Sequence, residues 1–323
     1  MKDLIELNKK VREAFPKNVK NPRIWKEKEL IDGKIVDSYV IILRTKGCRW
    51  AHISGCSMCG YFKETYNAGY DEIKRQIDFA YKKYNGEQVV KFFTSGSFLD
   101  KRELPEKLQL YALKKFSKAK KIIIETRPEF VKNLEGMDNE LEIAMGLESS
   151  NDKVLEHSIN KGFRYKPWLK AAKMVKEFGK KLRVYILIKP PFLTEKEGIK
   201  DAIESVKKVR NIADTISFNP VAIHGRTIVE QMWKHGLYRP PWLWSVVEIL
   251  KESKKIYDGI IRCDVVAGGL RRGAHNCGKC DRSFIHAINE FNLKQDTKIF
   301  DELDCKCREE WMDWLEIEEY LMG

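Results

Sequence analysis

The feature that most constrains the fold is a series of six short apolar runs separated by amphipathic stretches. "SYVIILRT" (38–45), "QVVKFFTS" (88–95), "KIIIETR" (121–127), "LEIAMGLE" (141–148), "LRVYILIKP" (182–190) and "DTISFNP" (214–220) are rich in Ile, Val and Phe. Near-continuous apolar runs of this length suit parallel strands covered on both faces. Between them, 70–84, 103–118, 152–159, 166–179 and 195–211 carry helical patterning. In "DEIKRQIDFAYKKY", for example, Ile73, Ile77, Phe79 and Tyr81 fall roughly on one helical side. Six βα units in series predict an α/β fold, either a partial (β/α)6 barrel or a doubly wound sheet. A chain of 323 residues can bury such a core and carry an appendage.

In both architectures the working groups lie at the C-terminal ends of the strands. The unusual residues of this sequence fall there. Arg44 and a cysteine loop follow the first run, and "TSGS" (94–97) follows the second. Glu125 and Arg127 end the third, and Glu148 ends the fourth. Lys189, Pro190 and Pro191 end the fifth, while Asn219 and His224 follow the sixth. Glu125, Arg127, Lys189, Asn219 and His224 are therefore candidates for lining a substrate pocket.

The N-terminus has no apolar signal core and no apolar run reaches 18 residues, so the chain is expected to be cytoplasmic and to avoid membranes. Disulfides are then not expected, and the eight cysteines, clustered in two groups, suggest metal binding. "GCRWAHISGCSMCGYF" holds Cys48, Cys56 and Cys59 in C-x7-C-x2-C spacing. Three thiolates are one short of a closed tetrahedral site. They suit an iron–sulfur cluster with one open iron, a zinc site completed by His52, or plain reduced thiols. The glycines at 47, 55 and 60 would let the loop fold around a cluster, and Arg44, Lys46 and Arg49 would offset its negative charge.

A three-cysteine loop after the first strand of six βα units resembles the radical S-adenosylmethionine (radical SAM) enzymes. The resemblance implies a 4Fe–4S cluster on Cys48, Cys56 and Cys59. Its open iron would take the amino and carboxylate groups of SAM, whose reductive cleavage gives a 5′-deoxyadenosyl radical. By the same resemblance Ser95, Gly96 and Ser97 would meet the SAM amino group, Glu148 its ribose, and Met58 its adenine. "IIIETRPEF" and "GLESSND" are similar to the tRNA-acting Elp3-like branch. The long cysteine interval, "GAHNCGKCD" and "LDCKCREEW" resemble the radical SAM subunits of archaeosine synthases over roughly residues 20–320. That family implies a lyase. A lysine-transferring partner subunit adds lysine to 7-cyano-7-deazaguanine at position 15 of tRNA. The radical SAM subunit, fed by an electron donor, then cleaves the lysine C–N bond to leave archaeosine. The alternatives are an Elp3-like radical SAM enzyme acting on another substrate and, from a different class, a non-enzymatic, zinc-dependent RNA-binding protein.

Three regions are expected: a helical extension over 1–36, the radical SAM core over 37–225, and a small cysteine-rich region over 226–323. Cys277, Cys280, Cys305 and Cys307 form two close pairs that suit a closed zinc site. A second iron–sulfur cluster, or His275 in place of one thiol, are the other readings, and Cys263 is left over. A net charge of +13 makes nucleic acid a plausible partner, with a solvated lysine-rich surface as the plainer reading. Arg271, Arg272, Lys279 and Arg282 surround the cysteine pairs and are the candidates for tRNA backbone contact.

Overall fold

The computed structural model describes residues 2–12 and 21–322. Among the described residues eight strands form one sheet in sequence order: β1 (Arg23–Ile31), β2 (Lys34–Ile42), β3 (Val89–Phe93), β4 (Lys121–Thr126), β5 (Leu141–Glu148), β6 (Lys181–Ile188), β7 (Thr215–Pro220) and β8 (Ile260–Cys263). All neighbours run parallel except β1 and β2, which form an antiparallel hairpin. The sheet curls into a partial barrel, and its two edges meet where Arg262 of β8 reaches Glu29 of β1 at 3.3 Å. The helices are α1 (Lys2–Arg12), α2 (Arg49–Ile53), α3 (Tyr70–Lys82), α4 (Glu106–Lys115), α5 (Tyr165–Glu177), α6 (Glu195–Val209), α7 (Ile228–Lys234), α8 (Leu243–Ile256), α9 (Asp281–Lys294) and α10 (Cys307–Met322). Local chemistry places their starts: Thr194 caps α6 by accepting from the Glu197 N–H, while Glu197 reaches back to the Thr194 N–H.

All six expected strands are present, as β2 to β7, and two more were not expected. The helical extension over 1–36 needs correcting. Lys2–Arg12 is helical, but Arg23–Ile31 is a strand, and residues 13–20 lie outside the described residues. The cysteine-rich region is fused to the barrel core. Its β8 continues the sheet, and its Trp244, Phe284 and Trp311 belong to the same buried apolar cluster as the barrel's outer face.

The two faces of the strands differ in chemistry. Ile122 and Ile124, Ile143 and Met145, Val184 and Ile186, and Ile216 and Phe218 face the helices and are fully or almost fully buried. Each such side chain contributes roughly 1.5–3 kcal/mol by leaving water. Alternate residues face the lumen, as the period of two requires. There a thin apolar layer of Ile31, Val36, Val89, Ile123 and Ala144 adjoins a buried charge network. Arg183 donates to Glu29 at 2.8 Å and to Glu142 at 2.7 Å, Lys121 meets Glu142 at 3.0 Å, and Lys91 pairs with Glu29. Burial alone would raise both carboxyl pKa values. Arg183 and its companion cations outweigh it, holding Glu29 well below the usual carboxylate range and bringing Glu142 down to about 2.

Two outcomes follow for the network. Arg183→Met removes the cation that two buried carboxylates share and is expected to cost about 3–5 kcal/mol, read by urea denaturation. Glu142 has its pKa lowered on folding, so its contribution is present above about pH 4.5 and lost as pH falls towards about 2. An acid titration of the wild type should therefore lose stability in that window, and a flat profile there would contradict the assignment.

Candidate active site and metal centre

The cysteine loop leaves the C-terminal end of β2 and makes the short helix α2, with Cys48 at its N-terminal boundary. Cys48 and Cys59 are partly exposed and Cys56 is buried. The loop is held by residues 158–162, which span the end of a wide π-type turn at Val154–Ile159 and the bend after it. Trp50 Nε1 donates to the Asn160 carbonyl at 2.7 Å. Asn160 Nδ2 donates to Ser54 Oγ at 2.7 Å and to the Gly55 carbonyl at 2.8 Å. The Ser57 N–H bonds the Ile159 carbonyl at 2.9 Å and Ser57 Oγ the Ser158 carbonyl at 2.6 Å. From outside, Asn8 of α1 also donates to the Gly55 carbonyl, at 3.1 Å. No sequence pattern announces this hook. The only local signal is Asn160-Lys161-Gly162, whose Asn160 and Gly162 take the left-handed conformation.

The expected SAM-binding positions gather around this loop. Gly96 lies so close to it that a Cβ there would come within 2.5 Å of Cys48 Cα, so only glycine fits. A buried carboxyl that the sequence reading missed ties the two loops together. Glu103 accepts from Thr45 Oγ1 at 2.7 Å and from the Ser97 N–H at 2.6 Å, and burial pushes its pKa up to about 7. Ser95 Oγ donates to the Tyr61 carbonyl at 3.3 Å, and Ser97 Oγ accepts from the Arg127 N–H at 3.0 Å. Glu148 sits at an irregularity in the β5–β6 pairing with φ of 73°, and Lys161 Nζ donates to it at 2.6 Å. Met58 packs on the small apolar cluster of Cys56, Leu155, Ile159 and Leu187.

The pocket candidates divide. Glu125 faces the lumen beside Tyr185. Burial, with Glu148 and Glu103 nearby, pushes its pKa up to about 8 against the hydrogen bond from Tyr185. Tyr61 is surrounded by protein yet leaves 48% of its surface open, as a side chain lining a cavity does. His224 meets it edge-on at 4.9 Å, and burial and Lys63 lower the His224 pKa, so the imidazole is neutral at pH 7. Asn219 is half-buried at the end of β7. Arg127 is buried, donating to Glu129 at 2.7 Å and to the Lys161 carbonyl at 3.3 Å. Lys189 departs from expectation. It is buried between Glu195 and Glu318, 3.0 Å from each, so its ammonium is committed to joining β6, α6 and α10.

Two partly exposed thiols and one buried thiol, the buried one under the field of Lys161 and Arg127, fit a cluster that keeps one open iron. His52 does not complete the set. It is exposed, and its Nε2 is 2.7 Å from the Lys46 carbonyl. Cys263 is fully buried in β8 with its backbone bonded to Asn292, a structural position.

The second cysteine group forms a distinct centre. The Sγ atoms of Cys277, Cys280, Cys305 and Cys307 all lie within 4.8 Å of one another, with Cys277–Cys280 at 3.9 Å, Cys277–Cys305 at 3.7 Å and Cys280–Cys307 at 3.6 Å. A tetrahedron of thiolates about 2.3 Å from one zinc puts sulfurs about 3.8 Å apart. The spacing thus fits a single tetrahedral ion and is too tight for an iron–sulfur cube. Trp244 Nε1 and Asn276 Nδ2 each donate to a sulfur, Cys307 and Cys280 respectively, at 3.4 Å, as outer partners of a thiolate site do. His275 instead turns its Nδ1 to the Gly273 carbonyl at 2.8 Å. Of the expected nucleic-acid residues, Arg271, Lys279 and Arg282 are exposed, whereas Arg272 pairs with Glu230 at 3.0 Å.

The barrel and its cysteine loop are those of a radical SAM protein, and a family model described as the radical SAM superfamily matches residues 42–206. Methylornithine synthase is similar in structure with a TM-score of 0.50 at 14% identity, covering 81% of this chain and 71% of its own. The archaeosine synthase subunit beta of Methanosarcina acetivorans is 35% identical over all of this chain and 97% of its own length. That of Thermococcus kodakarensis is 37% identical over 89% of this chain and 94% of its own. The chain therefore belongs to the radical SAM superfamily and, within it, to the family of archaeosine synthase beta subunits. Among the described residues no helix is long and apolar enough to cross a membrane.

The two centres should separate on metal analysis. Cys277→Ser is expected to remove about one tetrahedral metal ion per chain while leaving the iron content unchanged. Asn160→Gly keeps the left-handed backbone but deletes the amide of the hook, and should lower iron per chain after anaerobic reconstitution. Full iron occupancy in that variant would show that the hook is dispensable.

Proposed function

We propose that this chain is the radical lyase of archaeosine formation. It would cleave the C–N bond of the lysine adduct of 7-cyano-7-deazaguanine in tRNA, after a partner subunit has attached the lysine. The observation that carries the reading is the match to an archaeosine synthase subunit beta over the whole of this chain and nearly all of the relative. The lumen geometry supports it.

When bound, the cluster and SAM would supply a radical able to take a hydrogen atom from an unactivated C–H bond. Cys48, Cys56 and Cys59 would hold the cluster, with Ser95, Gly96, Ser97, Met58 and Glu148 around SAM. The chain's remaining task is to position the substrate, exclude water and manage a proton. Glu125 keeps its proton at pH 7 because its pKa stands at about 8, and it lies at the end of β4 facing the lumen. Homolytic C–N cleavage would leave the amidine nitrogen short of one electron and one proton; the electron donor would supply the electron, and Glu125 is the proposed source of the proton. With Lys189 committed elsewhere, Asn219 is the strand-end group proposed for the lysyl moiety. Zinc is the proposed ion of the four-cysteine centre, where it would brace α9 and α10 against the barrel.

Anaerobic turnover with lysine-modified tRNA, SAM and dithionite tests the reading. Nucleoside mass analysis should show the adduct converted to archaeosine. Cluster-bearing protein that cleaves SAM but leaves the adduct intact would refute the substrate. Glu125→Gln should slow conversion at least tenfold. Wild-type activity should fall as pH rises through about 8, as the proton leaves Glu125.

A further inference from the structure

At the barrel mouth, two segments from distant parts of the chain each contribute one aromatic ring and one cation. The short turn Tyr61–Glu64, just after the cysteine loop, gives Tyr61 and Lys63. The loop after β7 gives His224 and Arg226. Gly225 joins the two segments by close packing: a Cβ there would collide with Lys63 Nζ. Arg272, from the loop after β8, stands over the Trp233 ring at 4.7 Å and completes the cluster.

The charges do not balance. Lys63, Arg226, Lys234 and Arg272 share one carboxylate, Glu230. It takes Arg272 at 3.0 Å, Lys234 at 3.6 Å and the backbone N–H of Arg226 at 2.7 Å. The other nearby acid, Glu64, is engaged by Arg44. The side chains of Lys63 and Arg226 have no ion-pair partner within 4.0 Å among the described residues, although the Lys63 ammonium is only part-exposed. Burial, together with Arg226 and Arg272, lowers the Lys63 pKa against the pull of Glu230. Beside these cations lies the edge-on pair Tyr61–His224 with the Tyr61 ring half open.

We propose that this cluster is a nucleotide-binding site of the tRNA substrate, with a backbone phosphate on Lys63, Arg226 and Arg272 and a neighbouring unstacked base on Tyr61 and His224. Cations beside an open aromatic face match the alternation of phosphate and base in an extruded strand. The site stands next to the cysteine loop, so a base held there is at the entrance of the lumen. The proposal rests on the tRNA reading above and deepens it. It also moves the main RNA contact away from Lys279 and Arg282 of the cysteine-rich region and onto the barrel mouth.

The test measures binding of a fluorescein-labelled tRNA transcript to the anaerobically reconstituted full-length protein across a series of KCl concentrations. Lys63→Gln and Arg226→Gln alter side chains with no structural ion pair, and iron content and thermal midpoint verify folding. Each is expected to weaken binding several-fold at 150 mM salt and to lower the slope of log K against log salt by about 1. Tyr61→Leu should weaken binding with the salt slope unchanged, because stacking carries no counterion release. Wild-type binding of tRNA with unaltered affinity and slope in both charge variants would overturn the site while leaving the tRNA reading standing. A loss confined to Lys279→Gln and Arg282→Gln would overturn it equally. If the wild type binds no tRNA under any salt, the reading beneath the proposal fails, and the proposal with it.

Discussion

The architecture turns on Arg183. From near the N-terminal end of β6 its guanidinium reaches Glu142 on the neighbouring strand and Glu29 on β1, across the lumen. Arg262 and Lys91 meet the same Glu29 from β8 and β3. A sheet with one apolar face would ordinarily bury the other against a second layer. Here the second face closes on itself around ions. These pairs are costly to desolvate, and well-packed apolar residues could be as stable. What the ions fix is geometry: they join the barrel's two edge strands and its centre at one level. The strand ends above that level are where the chemistry is gathered.

That mouth is built by pinning flexible pieces to one another. The cysteine loop has little regular structure, and its long first interval gives it freedom that a shorter loop would lack. Hydrogen bonds from Ser158–Asn160 remove that freedom on one side, and Glu103 does the same on the other through Thr45 and Ser97. Glu103 and Glu125 are both held towards the neutral form by burial, so the cavity is less negative than its carboxyl count suggests. Lys161 connects these parts, meeting Glu148 with its ammonium and Arg127 with its carbonyl. The four-cysteine centre stands apart from this chemistry. It braces α9 and α10, and α10 in turn delivers Glu318 to Lys189 beneath the mouth.

The central strands were legible because parallel strands buried on both sides read as unbroken apolar runs, and the two cysteine groups were legible from spacing alone. β1 was not, because "RIWKEKELI" places Glu27 and Glu29 on the lumen side, where their partners are cations on other strands. β8 was missed because it is only four residues long. Lys189 looked like a pocket residue by position, since nothing near it in sequence reveals Glu318, 129 residues away. His52 sat at a ligand-like position, but the loop turns it outward. Glu103, Lys161 and Asn160 are ordinary residues in the sequence and acquire roles only through contacts made across the fold.

The central claim is that the lysine side chain of a modified tRNA base is the hydrogen donor in this lumen. The most direct measurement uses tRNA whose lysine adduct carries deuterium at every carbon of the lysyl chain. After anaerobic turnover, 5′-deoxyadenosine is recovered and its mass determined. The account predicts deuterium in the 5′-deoxyadenosine in proportion to archaeosine formed. Archaeosine formed with only unlabelled 5′-deoxyadenosine would contradict it.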